Sequence, residues 1–142
     1  MSALIDTNIL VYRFDHRDAR KQQIAQELLR DGVECDSIRV PHQAILEFVS
    51  ATTRTMTNLG GHSLLPRQDA LLEAESMLAQ FTILYPNESI VRLAVRGAAT
   101  YQLNWFDAHL WAYAEHFGLA EIISEDFSNG QLVGSVRIRN PF

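Results

Sequence analysis

Apolar residues along the chain form two kinds of pattern. Short apolar runs typical of buried strands occur at residues 3–5, 37–40, 81–84, 121–124 and 135–139. Between them, apolar side chains recur at helical spacing and predict helices at residues 9–14, 20–30, 41–52, 69–80, 88–101 and 105–117. Strands that alternate with helices in this way are typical of right-handed βαβ units. We therefore expect an α/β fold, in which helices cover both faces of a mostly parallel central sheet of four to five strands.

Turn-forming residues separate these elements. Asp31 and Gly32 predict the end of the second helical stretch, and Pro41 suits the start of the third. Residues 55–63 (TMTNLGGHS) predict a flexible segment, because they combine Thr and Asn with a Gly-Gly pair. Neither side of this segment is long enough to stand alone, and no repeat is visible. The 142 residues are therefore expected to form one domain, 1–142.

Composition narrows the class of protein. Apolar residues make up 47% of the chain and charged residues 20%, which favours a globular protein over a disordered one. Cys35 is the only cysteine, so an internal disulfide and a zinc site built from several cysteines are excluded. No apolar run reaches the roughly 18 residues that a membrane helix needs. These features predict a cytoplasmic protein without a membrane partner.

The balance of charge leaves the partner open. Twelve Lys and Arg residues against seventeen Asp and Glu residues give a net charge of −5, which would ordinarily count against a nucleic-acid partner. If several of the acids are gathered around a divalent cation, however, the remaining charge is close to neutral. The sign of the total therefore excludes little.

Three acidic residues are placed to meet at one edge of the predicted sheet. Asp6 ends the first strand, Glu47 lies early in the helix after the second strand, and Asp126 follows the apolar pair at 122–123. Functional groups of α/β folds collect at the carboxyl ends of the strands. Asp107, in the first turn of its helix, can reach the same edge. Carboxylates gathered in this way repel one another unless a cation neutralises them, and oxygen ligands of this kind suit Mg²⁺ or Mn²⁺.

Each of these acids except Asp6 also has an ordinary structural explanation. Asp107 could complete a capping box with Asn104, and Glu47 could be a solvated helix residue. Asp126 could cap a turn, and its neighbour Glu125 is an equally good candidate for any functional role. Asp6 is harder to explain as surface, because it ends a buried strand. The five histidines show no ligand pair at helical spacing, and no nucleotide-binding or serine-hydrolase motif occurs.

Five segments of the chain, taken in order, resemble those of a known family. They are ALIDTNIL at the start, QAILEF around Glu47, WFDAHLWA around Asp107, IISEDFSNG around Asp126, and a final NPF. In this order and spacing the chain resembles the PIN-domain ribonucleases, and more closely the VapC-type toxins of bacterial toxin–antitoxin pairs. The resemblance spans nearly the whole chain and implies a PIN-like three-layer sandwich.

The resemblance also implies an activity and the residues that carry it. The protein would be a metal-dependent endoribonuclease in which Mg²⁺, or alternatively Mn²⁺, activates water for attack on a phosphodiester. Its catalytic and metal-binding residues would be Asp6, Glu47, Asp107 and Asp126. Asn8 and Ser124 would lie behind the ligands and orient them. Arginines are candidates for phosphate contacts, namely Arg13, Arg17, Arg20, Arg54, Arg92 and Arg96.

Partners follow from the same resemblance. The substrate would be RNA in a single-stranded or loop region, and the family implies a homodimer and a cognate antitoxin. Apolar residues around the flexible segment exceed what the core needs, which favours an interaction site there, although they could also simply complete the core. These residues are Phe48, Val49, Met56, Leu59, Leu64 and Leu65.

Two other functions are compatible with parts of the sequence. A haloacid-dehalogenase-like phosphatase also begins with a strand that ends in Asp, but it usually carries a second Asp two residues later, where this chain has Asn8. A catalytically silent protein- or RNA-binding module would share the fold, although the presence of all four acids argues against it.

Overall fold

The computed structural model describes residues 2–142, which form six α-helices, one short 3₁₀ helix and six strands. The strands are β1 (Ala3–Ile5), β2 (Ile38–Pro41), β3 (Ile83–Leu84), β4 (Glu121–Ile123), β5 (Leu132–Val133) and β6 (Val136–Arg139). The helices are α1 (Thr7–Tyr12), α2 (Ala19–Glu34), α3 (His42–Thr53), α4 (Arg67–Gln80), α5 (Glu88–Tyr101) and α6 (Trp105–His116).

The strands form one sheet in the order β3-β2-β1-β4-β6-β5. Strand β1 lies inside it, with Ala3 paired to Ile38 of β2 on one side and to Glu121 of β4 on the other. All neighbouring strands are parallel except β5 and β6, which form an antiparallel hairpin at the edge. The mostly parallel α/β sheet is confirmed. The expected number of strands is wrong, because the two-residue β5 is too short to leave an apolar pattern.

Apolar side chains from the sheet pack against helices on both faces. Successive strand residues point to opposite faces, so Leu4 and Ile5 of β1 contribute to different core clusters. Leu4 belongs to the cluster of α5 and α6 that contains Trp111, whereas Ile5 belongs to the cluster of α1 to α4 that contains Phe48. The expected three-layer sandwich is confirmed, and the carboxyl ends of β1, β2 and β4 meet at one edge between its helical layers.

Helix α2 does not end where the sequence predicts. It continues through Asp31 and Gly32 to Glu34, so the expected stop signal is wrong. A Cβ atom at position 32 would lie 2.6 Å from Cγ2 of Ile38, which is closer than two carbon atoms can approach. The glycine therefore serves the close packing of α2 against β2 and does not terminate the helix.

The segment between α3 and α4 forms a closed loop. Met56 and His62 pair across it, around a short 3₁₀ turn at Thr57–Leu59. The prediction of an exposed apolar surface at this segment is wrong for Phe48 and Leu64, which are buried and complete the core. The most exposed leucines of this helical pair are Leu46, Leu71, Leu72 and Leu78.

None of the helices within residues 2–142 combines the length and apolar character needed to cross a lipid bilayer.

Candidate active site

The acids singled out in the sequence lie around one open cleft. It has a volume of about 670 Å³, within the size range of ligand-binding clefts. Four different parts of the fold supply its carboxylates: the end of β1, helix α3, the first turn of α6 and the loop after β4. The lining residues are Asp6, Gln43, Glu47, Asn104, Trp105, Phe106, Asp107 and Asp126.

Asp6 is the most buried of these acids. It follows the last residue of β1 and caps α1, where its Oδ1 accepts a hydrogen bond of 2.7 Å from the amide of Thr7. Its Oδ2 accepts from the hydroxyl of Ser124 at 2.6 Å, and a longer bond of 3.4 Å arrives from Nδ2 of Asn8. These contacts fix the carboxylate, and two of the three donors, Asn8 and Ser124, are residues singled out in the sequence.

Glu47 is held from two sides by residues that the sequence analysis missed. The hydroxyl of Thr7 donates to its Oε2 at 2.7 Å, and Nε2 of Gln43 donates to its Oε1 at 2.8 Å. Gln43 precedes Glu47 by four residues, so both lie on the same face of α3. That spacing is the signal that could have identified Gln43. Glu47 is therefore an oriented side chain, and the solvated-glutamate interpretation does not describe it.

Asp107 is oriented by its own helix cap. Asn104 accepts from the amide of Asp107 at 2.9 Å and donates through Nδ2 to its Oδ2 at 2.6 Å. Asn104 is thus the N-cap of α6, but the Asp107 carboxylate bonds to the Asn104 side chain and not to its backbone amide, so the expected capping box forms only in part. The side-chain bond orients the carboxylate, which lines the cleft. The structural and the functional interpretation of Asp107 are compatible with each other.

The two adjacent acids after β4 have different surroundings. Asp126 lines the cleft, and its amide donates to the Oγ of Ser124 at 3.0 Å. Glu125 forms an ion pair with Lys21 and accepts a hydrogen bond of 2.7 Å from the hydroxyl of Tyr12. It therefore has its own counter-charge, whereas Asp126 shares the cleft with the other acids. The structure places Asp126 as the fourth acid of the cleft.

Burial and mutual repulsion make the cleft electrostatically strained. Burial, opposed by the bonds from Ser124 and Thr7 and reinforced by the charges of Asp126 and Glu47, raises the pKa of Asp6 to about 7. The pKa of Asp107 is also raised, first by burial and then by Asp126. Among the described residues that line the cleft, none is a lysine or an arginine. The negative charge is therefore not neutralised by neighbouring side chains.

The donor set fits a hard divalent cation in its chemistry and charge. Carboxylate oxygens are the ligands that Mg²⁺ and Mn²⁺ prefer, and a cation would offset the burial and the repulsion that together raise the pKa of Asp6. Within residues 2–142, no three acidic, histidine or cysteine side chains are already gathered closely enough to hold a metal ion. Carboxylates of the cleft would therefore have to turn toward a cation in order to ligate it.

The predicted phosphate-binding arginines do not line the cleft. Arg17 forms an ion pair with Asp15, and Arg92 pairs with Glu88 one helical turn earlier. The guanidinium of Arg13 lies 4.9 Å from the ring of Phe14 and donates to Gln80. What lies beside the acids instead is aromatic, because Trp105 and Phe106 occupy the rim.

Comparison with known families and structures gives a consistent result. A family model described as "PIN domain" matches residues 3–128. No curated protein matches the chain in sequence.

Several solved structures share the fold at low sequence identity. A toxin–antitoxin complex from Klebsiella pneumoniae aligns with a TM-score of 0.67 at 20% identity, over 99% of this chain and 98% of that chain. DNA-bound VapBC from Salmonella typhimurium aligns with a TM-score of 0.73 at 11% identity, over 100% and 99%. The sarcin–ricin-loop-cleaving toxin VapC20 of Mycobacterium tuberculosis gives 0.64 at 17% identity, over 96% and 99%.

Proposed function

This chain belongs to the PIN domain family, and on that premise we propose that it is a metal-dependent endoribonuclease and the toxin of a toxin–antitoxin pair. The observation that carries the proposal is the convergence of Asp6, Glu47, Asp107 and Asp126 on one cleft without a neutralising side chain. We take residues 1–142 as a single nuclease domain, acting in the cytoplasm.

The acids and their hydrogen-bond partners have distinct roles in this proposal. Asp6, Glu47 and Asp107 would hold the cation directly or through its waters, and Asp126 would help to position a second ion or the attacking water. Ser124, with Asn8, keeps Asp6 fixed between β1 and β4. Thr7 and Gln43 keep Glu47 turned toward the cleft. Bound Mg²⁺, or Mn²⁺, supplies the positive charge that polarises a phosphodiester and activates water.

RNA in a single-stranded or loop region is the proposed substrate. The cleft is open and compact, so a splayed phosphodiester can reach the acids without an RNA helix being opened. The similarity to a toxin that cleaves the sarcin–ricin loop supports an RNA substrate. The alternative phosphatase chemistry has less support, because Asn8 bonds to Asp6 and Ser124 and offers no second carboxylate.

The test of the nuclease activity is cleavage of total RNA by purified protein with Mg²⁺, with Mn²⁺ and with EDTA, followed by mapping of the RNA ends. Asp107→Asn should reduce the rate by at least about 100-fold, since a ligand and its charge are lost. Glu125→Gln is the matched control, because Glu125 pairs with Lys21 outside the acidic cleft. Metal-independent cleavage, or equal activity of Asp107→Asn and the unaltered protein, would contradict the proposal.

An antitoxin and a second copy of the chain are the proposed protein partners. Similar structures were solved as toxin–antitoxin complexes, and α4 exposes Leu71 and Leu72 in one groove with Arg67, Gln68 and Glu75. An apolar antitoxin segment can lie in this groove, and an arginine or lysine of the same partner can bind the carboxylates of the cleft in competition with the metal.

A neighbouring gene for a small DNA-binding protein would supply the partner for the test. Leu72→Glu should weaken the complex, because it places a charge in the groove. Leu78→Glu is the matched control, since Leu78 is similarly exposed on α4 outside the groove. Light scattering reports the homodimer in the same samples. Equal binding by both variants would exclude this groove, and a monomer that binds no co-expressed neighbour would exclude both partners.

A further inference from the structure

Two large aromatic side chains are exposed at the rim of the acidic cleft. Phe106 is 66% exposed and Trp105 is 48% exposed. They directly precede Asp107 in the first helical turn. Exposed aromatic rings beside a polar cleft are typical of a surface that receives a flat, apolar ligand group.

Both aromatic residues are anchored to the cleft. The ring of Trp105 lies edge-on to His109, one turn later in α6, with centroids 4.3 Å apart and an interplanar angle of 88°. The carbonyl of Phe106 accepts a long hydrogen bond of 3.4 Å from Gln43, which also donates to Glu47. Gln43 therefore links the first turn of α6 to Glu47 through hydrogen bonds.

Because the cleft is negatively charged, its affinity for RNA has to come from something other than basic side chains that contact phosphates. Proteins ordinarily hold nucleic acids through lysine and arginine contacts to phosphates. No described residue that lines this cleft is basic, and the chain carries a net charge of −5. A nucleotide whose phosphate lies at the carboxylates has a base within reach of the rings, because Trp105, Phe106 and Asp107 share one turn. Base stacking on aromatic rings tolerates any sequence and needs no charge.

We propose that Trp105 and Phe106 form a stacking platform for an unpaired nucleobase next to the scissile phosphate, and that this platform supplies much of the affinity for single-stranded RNA. The inference rests on the proposed ribonuclease function and deepens it, since it names how the substrate is held. Both residues are positioning residues. The chemistry itself remains with the carboxylates.

The test uses two fluorescein-labelled octamers, oligoadenylate RNA and an abasic ribose-phosphate chain of the same length and charge. Binding is measured by anisotropy with Ca²⁺ in place of Mg²⁺. The unaltered protein should bind oligoadenylate more tightly than the abasic octamer. Phe106→Leu and Trp105→Leu, which keep an apolar side chain without a ring, should each weaken binding of oligoadenylate by about 5- to 100-fold. Neither should change binding of the abasic octamer.

Phe117→Leu is the matched control, because Phe117 is 40% exposed and lies just beyond the opposite end of α6. Its affinity for both octamers should equal that of the unaltered protein. Trp105 gives a second readout, since stacking should quench its emission. Trp111, the other tryptophan, is buried and provides a constant background. Circular dichroism checks that each variant is folded.

Several results would overturn the inference: equal binding of the two octamers, no measurable binding of either, or unchanged oligoadenylate affinity in both variants. Loss of self-association without loss of RNA affinity would assign the rings to a protein interface. Cleavage of RNA together with unchanged affinity in the two variants would retain the ribonuclease function and reject the platform. Base-dependent binding without metal-dependent cleavage would retain the platform and reject the ribonuclease function.

Discussion

At the residue scale, the surroundings of Asp6 disfavour the ionised form of its carboxyl group. It is buried at the end of β1, and the carboxylates of Asp126 and Glu47 add to the effect of burial, so the pKa of Asp6 is raised from 3.8 to about 7. The folded state therefore binds a proton more tightly than the unfolded state does. Between these pH values the free energy of unfolding falls as the pH rises.

Asp6→Asn should raise the melting temperature of the metal-free protein at pH 8, because it removes this buried charge. The gain is at most about 4 kcal/mol, the equivalent of the pKa difference, and should shrink at pH 5. Thermal unfolding in EDTA at both pH values measures it. Glu27→Gln, which removes one exposed charge from α2, controls for net charge. Mg²⁺ should stabilise the unaltered protein only, and a pH-independent difference would contradict the assignment of strain to Asp6.

Ser124 limits how far burial raises the pKa of Asp6. Its hydroxyl donates to Asp6 at 2.6 Å and accepts from the amide of Asp126 at 3.0 Å, so one buried group orients two of the acids. The bond to Asp6 lowers the pKa of this carboxylate against the effect of burial. Loss of the hydroxyl should consequently leave Asp6 protonated over a wider pH range.

Ser124→Ala should move the acid limb of the pH–rate profile for RNA cleavage to higher pH and lower the unfolding free energy by about 1–2 kcal/mol. The loss of stability alone would also follow from a purely structural role, whereas the shift of the profile would not. Ser124→Thr keeps the hydroxyl and should restore the original profile. A profile that is unchanged in Ser124→Ala would show that Ser124 does not act through Asp6.

At the element scale, the close packing of α5 on α6 positions one side of the cleft. Gly97 of α5 faces the ring of Trp111 in α6, and a Cβ atom there would lie 2.4 Å from the ring carbon Cζ3. The indole of Trp111 in turn donates to the carbonyl of Val133 at 3.0 Å. Helix α6 is therefore fixed between α5 and the β5–β6 hairpin, and Asp107 is carried on its first turn.

Gly97→Ala should destabilise the protein by about 1–3 kcal/mol, because the buried ring has little space to move. It should also lower the cleavage rate, since displacement of α6 moves Asp107. Chemical denaturation measures the first effect. A double-mutant cycle with Trp111→Leu is the control: the alanine should be better tolerated once the ring is gone. Additive effects of the two substitutions would show that this contact is not the cause.

At the scale of the whole molecule, the net charge of −5 and the lack of basic residues among those described in the cleft lining limit long-range attraction of RNA. Binding of a strongly basic protein falls steeply with salt because many counterions are released. For the proposed RNA substrate, few phosphates would be neutralised by side chains, and binding would depend on the metal and on local contacts.

The affinity for single-stranded RNA should therefore depend weakly on salt. A plot of log K against log salt concentration should have a slope shallower than about −2, which corresponds to fewer than about three neutralised phosphates. Anisotropy titrations between 50 and 300 mM KCl, at constant Ca²⁺, measure the slope. A slope steeper than about −4 would reveal a cationic surface and contradict this picture.

The sequence by itself determined the order of the helices and of every strand except β5, and the position of Asp6. Both depend on local rules: apolar periodicity selects the element, and a carboxylate directly after a buried strand of a parallel sheet reaches its carboxyl edge. Asn104 and Asp107 could be identified for the same reason, since a helix-capping residue and its partner lie within four residues of each other in the sequence. The motifs that resemble the PIN family are built on these local features.

Only the tertiary structure distinguished residues whose local sequence patterns leave more than one role open. Glu125 and Asp126 are equivalent in sequence, and only Lys21, 104 positions away, neutralises one and leaves the other in the cleft. Gly32 resembles a helix stop until Ile38 is seen against it, and Phe48, which the sequence left between the core and an interaction surface, belongs to the core. The aromatic rim likewise emerges only when α6 meets α3. Periodicity specifies which face of an element is apolar, whereas long-range packing specifies what that face meets.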